Sequence, residues 1–153
     1  MWLNRFHALC LLTALLCGAA CHSVKPLPPD DLSAPGWNVR QGQAVWKTQE
    51  SEFAGELILC TRGDESSLQF IKTPLPIVSA QTKGTQWTIR FFADNRTVIG
   101  QGPPPVQVLW LHLPSAVRGA SLPKPLQFKT ESSGNWELHN AETGESISGF
   151  LNP

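Results

Sequence analysis

The chain has 153 residues, 41% of them hydrophobic, with 12 Lys and Arg set against 12 Asp and Glu. A length of this order fits one domain that can hide roughly two-thirds of its unfolded surface. The balanced charge argues against an electrostatic partner such as nucleic acid.

The chain opens with Arg5, an apolar run of 13 residues at 8–20 whose only hydroxyl is Thr13, and the small residues Gly18, Ala19 and Ala20 directly before Cys21. This is the layout of a secretory signal. A helix that crosses a bilayer needs roughly 20 apolar residues, so the run suits export and removal better than spanning. A signal that ends in small residues and then cysteine resembles the bacterial lipoprotein signal, or lipobox, whose cysteine sulfur receives a diacylglycerol and becomes the mature N-terminus. That resemblance makes residues 1–20 the signal peptide, Cys21 the site of lipid attachment, and the membrane a partner through the lipid. Gly18 stands where the lipobox usually has Leu, and ordinary cleavage at Ala19-Ala20 with no lipid is the other reading.

Removing the 20 signal residues leaves 133, with 11 basic and 12 acidic side chains, because Arg5 is the only charge removed. Of the four cysteines, Cys10 and Cys17 are expected to leave with the signal, and the resemblance implies that Cys21 is modified. Cys60 then has no partner in an oxidising compartment and is expected to be a small buried hydrophobe. A catalytic thiol needs a base, and His22, His112 and His139 lie in no nucleophile motif.

Residues 21–36 contain the lipidated cysteine and then Pro26, Pro28, Pro29 and Pro35 with Asp30 and Asp31. Such a stretch reads as an extended, semi-rigid tether that holds the domain at 37–153 off the membrane. His22 replaces the acidic residue that keeps enterobacterial lipoproteins at the inner membrane. The resemblance therefore implies the outer membrane, facing the periplasm.

From Trp37 onward the apolar pattern alternates at period two between turn residues, the mark of half-buried strands. The stretches at 37–47, 53–60, 68–71, 77–80, 87–92 and 97–99 carry it, with an interruption at Pro74-Leu75-Pro76. Val106, Leu109, Trp110, Leu113 and Val117 then recur at helical spacing. The prolines at 103–105 suit the helix start, and Pro114 is expected to end or kink it after about two turns. Strands resume at 126–129, 136–138 and 147–151 after turn signals.

The order predicts a mainly β (α+β) protein: a strongly curved antiparallel sheet, an unclosed half-barrel of about seven or eight strands, with one short helix packed in its concave face. Apolar residues on that face are candidates for a hydrophobic cavity. They are Trp46, Leu57, Leu59, Phe70, Trp87 and Ile89 from the early strands, followed by Phe91 and the helical Leu109, Trp110 and Leu113. The other reading is that these side chains simply fill the core.

An anchored cysteine, a tether, antiparallel strands interrupted at Thr73-Pro74-Leu75, and a Pro-initiated helix ending Trp110-Leu111-His112-Leu113-Pro114 together resemble the LolB/LolA-like outer-membrane lipoprotein-sorting family. The resemblance covers 37–151 in order. It implies an incomplete barrel with a helical lid, and a membrane-insertion loop at Pro74, Leu75 and Pro76. Proline lacks a backbone N–H, so Pro74 and Pro76 are expected to push Leu75 outward. Pro76 stands where the family has Gly, and the chain has fewer strands after the helix than the family receptor.

The function expected is that of an outer-membrane-anchored lipoprotein whose hydrophobic cavity binds acyl chains or receives lipidated client proteins, with a periplasmic carrier protein as a possible donor. The alternative is a structural or scaffolding envelope lipoprotein with a filled core that binds another envelope protein, since an exposed strand edge invites pairing. No enzyme is expected: paired catalytic carboxylates, metal-ligand spacing, a nucleophile elbow and a phosphate loop are all missing from the sequence. No metal or cofactor is expected, and the chain is expected to be a monomer.

Overall fold

A computed structural model describes residues 24–152, so the signal expected at 1–20 and the lipid attachment expected at Cys21 lie outside the described residues. The alternating stretches form β1 (Asn38–Lys47), β2 (Glu52–Arg62), β3 (Glu65–Lys72), β4 (Leu75–Lys83), β5 (Gln86–Phe91) and β6 (Arg96–Gln101). The helix α1 (Leu109–Val117) follows, and then β7 (Leu126–Thr130), β8 (Trp136–Asn140) and β9 (Ser146–Leu151). The protein is mainly β, as its pattern predicts. The described residues hold nine strands instead of seven or eight, because the short stretches near 98 and 137 each carry a full ladder to their neighbours.

All nine strands belong to one antiparallel sheet in the order β6-β5-β4-β3-β2-β1-β9-β8-β7, which is not closed. Two meanders, of six strands and three, are joined by the β1–β9 pairing that sets Gly42 opposite Leu151. Among the described residues the one helix connects the free edges β6 and β7, so topology alone carries it across the open mouth of the sheet. Along the concave face Leu59, Leu68, Ala80 and Ile89 stand in register on adjacent strands and are all buried. Each large aliphatic side chain so buried contributes about 1.5–3 kcal/mol.

Small residues make the bend. Gly55, Ala44 and Gly149 face one another across β2, β1 and β9. A Cβ at Gly55 would strike the Ile71 carbonyl, one at Gly149 the Gln43 carbonyl, and one at Gly42 the Phe150 carbonyl. Adjacent backbones approach closely enough here that only glycine fits, which is how a sheet curls sharply.

The helix departs from the sequence expectation at its start. It begins at Leu109 instead of at the prolines, which form a preceding turn closed by Val108 N–H donating to Pro105 O at 3.0 Å. It also continues through Pro114 to Val117. Pro114 costs one helical hydrogen bond, to the Trp110 carbonyl. Leu113 and Ala116 are buried on either side of it, and that burial outweighs one lost bond.

The Pro-rich segment forms neither helix nor strand at 24–31, turns at 32–36, and lies on the body of the domain. Leu27 N–H donates to Thr88 Oγ1 at 3.1 Å, and Gln81 Nε2 donates to Pro28 O at 3.3 Å and to Asp30 Oδ2 at 2.8 Å. Thr88, Gln81, Ser67 and Cys60 form one register row across β5, β4, β3 and β2 on the face away from the core. The segment runs along that row as a strap. Cys60, Ser67 and Thr88 are consequently buried although they point outward. The strap ends where Trp37 Nε1 donates to Asp31 O at 3.2 Å beneath the Arg62 guanidinium, 4.5 Å from the ring centroid.

Candidate functional site

The helix and the concave face beneath it form the candidate site. Eight of the ten residues assigned to a hydrophobic cavity are buried: Leu57, Leu59, Phe70, Trp87, Ile89, Leu109, Trp110 and Leu113; Trp46 and Phe91 are half-buried at its margin. The structure brings these residues together, but against one another and not around a hollow. Trp110 stacks on Phe70 at 5.0 Å between centroids and meets Trp46 edge-on at 5.6 Å, while Trp46 in turn stacks with Phe91 at 6.4 Å. Trp87 lies against Gly100 on the neighbouring strand, where a Cβ would strike its ring. The large aromatic volumes, which suggested a ligand space, are what the sharply bent sheet needs to fill its own concavity.

A real hollow exists elsewhere. A groove of about 1040 Å³ crosses the sheet between the end of β3 and β7, and none of the ten residues lines it. Val45, Ala54, Glu56, Ile71 and Phe150 line it with the strand parity that points away from the core. No sequence signal marks it, because its two walls lie about sixty residues apart along the chain.

The attachment of α1 is unusual. Among the described residues, 109–117 make no hydrogen bond to any strand, and His112 Nε2 instead meets Pro105 O at 3.1 Å within the same crossing segment. Polar links lie only at the flanks, where Arg118 Nη1 donates to Gly63 O at 2.8 Å and Asn140 Nδ2 donates to Val106 O at 3.2 Å. Burial pushes the His112 pKa down, with the carbonyls of Pro105 and Pro104 opposing. The ring is therefore neutral at pH 7, as its place against the core requires. Gly102 (φ +90°) and Gly119 (φ +78°) bracket the segment in a backbone region that glycine alone adopts freely.

Trp87, Trp110 and Trp136 bury their indole N–H groups with no acceptor among the described residues. An unmet buried donor costs about 1–3 kcal/mol. Trp46 differs, since its Nε1 donates to Glu145 Oε1 at 2.7 Å. Burial pushes the Glu145 carboxyl up, against the lowering effect of that bond. The pairing joins residues 99 apart and had no sequence signal.

Leu75 stands at the tip of the β3–β4 hairpin, 66% exposed, with Pro74 and Pro76 exposed beside it. Cys60 is buried beneath the strap, and burial, with a smaller contribution from Asp30, pushes its thiol up. Among the described residues no three His, Cys, Asp or Glu side chains come together as metal ligands would, and no helix there is long and apolar enough to cross a membrane. No protein-family model and no curated protein matches the chain.

Proposed function

We propose that this is a lipoprotein anchored through Cys21 to the outer membrane, facing the periplasm, in which α1 is a displaceable lid and an acyl chain takes its place on the concave face. The observation that carries the reading is the attachment of residues 109–117 by apolar packing alone, with the Trp110 N–H left without an acceptor. A helix held in that way leaves no hydrogen bonds to the sheet behind when it lifts.

The magnitudes permit an exchange. Burying Leu109, Trp110, Leu111 and Leu113 is worth on the order of 10 kcal/mol at about 1.5–3 kcal/mol per large side chain. An acyl chain gains about 0.8 kcal/mol per buried methylene, so a chain of some twelve to sixteen carbons matches the lid it displaces. A near-balanced exchange of apolar surface needs no energy source and can pass a lipidated client from a periplasmic carrier to the membrane. The test is titration of a fluorescent long-chain fatty acid into the chain from Val24 to Pro153, which contains every strand, the helix and the strap. Saturable binding at one chain per molecule, weakened by Trp110→Ala, is the expected result. Absence of saturable binding overturns the proposal.

A second reading is favoured by the filled interior, with Trp110 packed on Phe70 and Trp46. On that reading the domain is a scaffold whose partner is another envelope protein. Crosslinking in cells separates the two: one protein partner, captured equally by a chain that binds no fatty acid, supports the scaffold.

A further inference from the structure

Two turns meet at one end of the sheet. The β3–β4 hairpin presents Leu75 between two exposed prolines. The β5–β6 turn lies directly beside it: Phe92 N–H donates to Ile77 O at 3.0 Å, and Phe91 pairs with Val78 across β4 and β5. This second turn carries its own pattern of cations on rings. The Arg90 guanidinium lies 4.8 Å from the Phe92 centroid, and that of Arg96 lies 4.7 Å from Phe91. Lys72, which pairs with Leu75, is a third exposed cation at this end. The carboxylate on the β5–β6 turn is Asp94, 3.2 Å from Arg96, in an ion pair more than half exposed on both sides and so worth little.

We infer that the β5–β6 turn is a contact site for an anionic phospholipid bilayer, in which Arg90, Arg96 and Lys72 meet headgroup phosphates while Phe92 sits at the interface beside Leu75. The inference rests on the reading of Leu75 as a membrane-entering tip, and adds to it the part of the surface that selects the lipid. On the β5–β6 turn itself two arginines stand against the single carboxylate of Asp94, while Lys72 has Glu56 near it across β2 and β3, so the positive excess belongs to that turn on a chain whose overall charge is balanced. Arginine suits the role because its planar fork bonds phosphate through two N–H groups while its face stays on an aromatic ring. Aromatic side chains favour the headgroup level for the same amphipathic reason.

The strap supplies an independent geometric argument. It meets the body at Thr88, three residues from Phe91 on the same strand, a span of about 10 Å. Cys21 is six residues before Leu27 in the sequence, at most about 20 Å of chain. A lipid on Cys21 and the β5–β6 turn can therefore reach one bilayer surface together.

The test is co-sedimentation of the chain from Val24 to Pro153, without the lipid, with vesicles of phosphatidylcholine alone or containing one-third phosphatidylglycerol. Each surface cation contributes about fivefold to partition onto an anionic membrane. Arg90→Gln with Arg96→Gln is expected to lower binding to the anionic vesicles roughly 25-fold and leave the weaker binding to neutral vesicles in place. Leu75→Ser is expected to lower both. Equal binding of the unaltered chain to the two vesicle types overturns the inference, as does full retention by the double arginine variant. Because a variant can lose its fold, the salt response of the unaltered chain is read as well: raising salt from about 50 mM to about 500 mM shortens the screening length severalfold and is expected to remove the anionic preference, whereas persistence of that preference overturns the inference. The fatty-acid titration uses no vesicle, so a failure of the lid reading and a failure of this one are told apart.

Discussion

His112 and Glu145 show how single side chains are committed by their surroundings. His112 is buried on α1 with its ring against the Pro105 carbonyl. Its pKa in the folded protein lies below the ordinary value of about 6.5, so the unfolded chain binds the extra proton first. The stability its neutral ring contributes is complete above about pH 6.5 and is lost as pH falls through the lower folded value. Glu145 runs the other way. Its folded pKa is raised by burial, so the native state binds the proton first and gains stability as pH falls toward the ordinary glutamate range. Thermal midpoints between pH 7.5 and 5 are expected to fall in the unaltered chain to the extent that His112 dominates. His112→Gln should remove the fall, and Glu145→Gln should steepen it. Midpoints in His112→Gln that track the unaltered chain across that range would show that the buried ring does not govern the acid response. The residue type at 112 was readable in the sequence, but its contact with a proline seven residues back was not, because the preceding turn had been assigned to the helix itself.

At the scale of elements, the strap is the clearest case of a segment whose composition and placement say different things. Its prolines predict extension, whereas residues 32–36 turn, with Ala34 N–H donating to Asp31 O at 3.1 Å. They do not predict that Gln81, 51 residues further along than Asp30, holds it to the sheet. Cys60 is the natural reporter, because it is the single cysteine after residue 21 and is buried where the strap passes. Gln81→Ala removes two hydrogen bonds to the strap, each worth about 0.5–1.5 kcal/mol net. The rate at which a thiol reagent labels Cys60 is expected to rise about tenfold in native conditions. An unchanged rate would mean that the sheet and not the strap shields the thiol. On the proposed lipid attachment at Cys21, a docked strap holds the domain closer to the membrane than an unattached Pro-rich segment would.

At the scale of the whole molecule, the bend in the sheet controls both the depth of the concavity and the position of the helix. It depends on a row of small residues at the junction of the two meanders. Gly149→Val places a branched side chain against the Gln43 carbonyl of the next strand, which backbone movement alone can relieve. The expected cost is more than about 3 kcal/mol, since overpacking against a fixed main chain adds to loss of the β1–β9 ladder. Val45→Thr, on the outward parity of the same β1, is expected to change stability by less than about 1 kcal/mol. Comparable denaturation midpoints for the two variants would show that the glycine row is not what sets the curvature.

Period-two alternation, turn residues and one run at helical spacing were enough to determine the fold class, because local side-chain parity decides which face of a strand is apolar. Leu75 was legible too: two prolines without N–H groups flank it, and the structure leaves it exposed. The pairing of Gly42 with Leu151, the docking of the strap, and the crossing of α1 from one sheet edge to the other were decided only in three dimensions, since each joins residues with no shared local pattern. The same holds for the ten residues of the candidate site. Their apolar character said that they would be buried, but whether they enclose a space or fill one depends on how tightly glycine-bearing strands bend around a helix. That balance of volume against curvature is a property of the assembled chain.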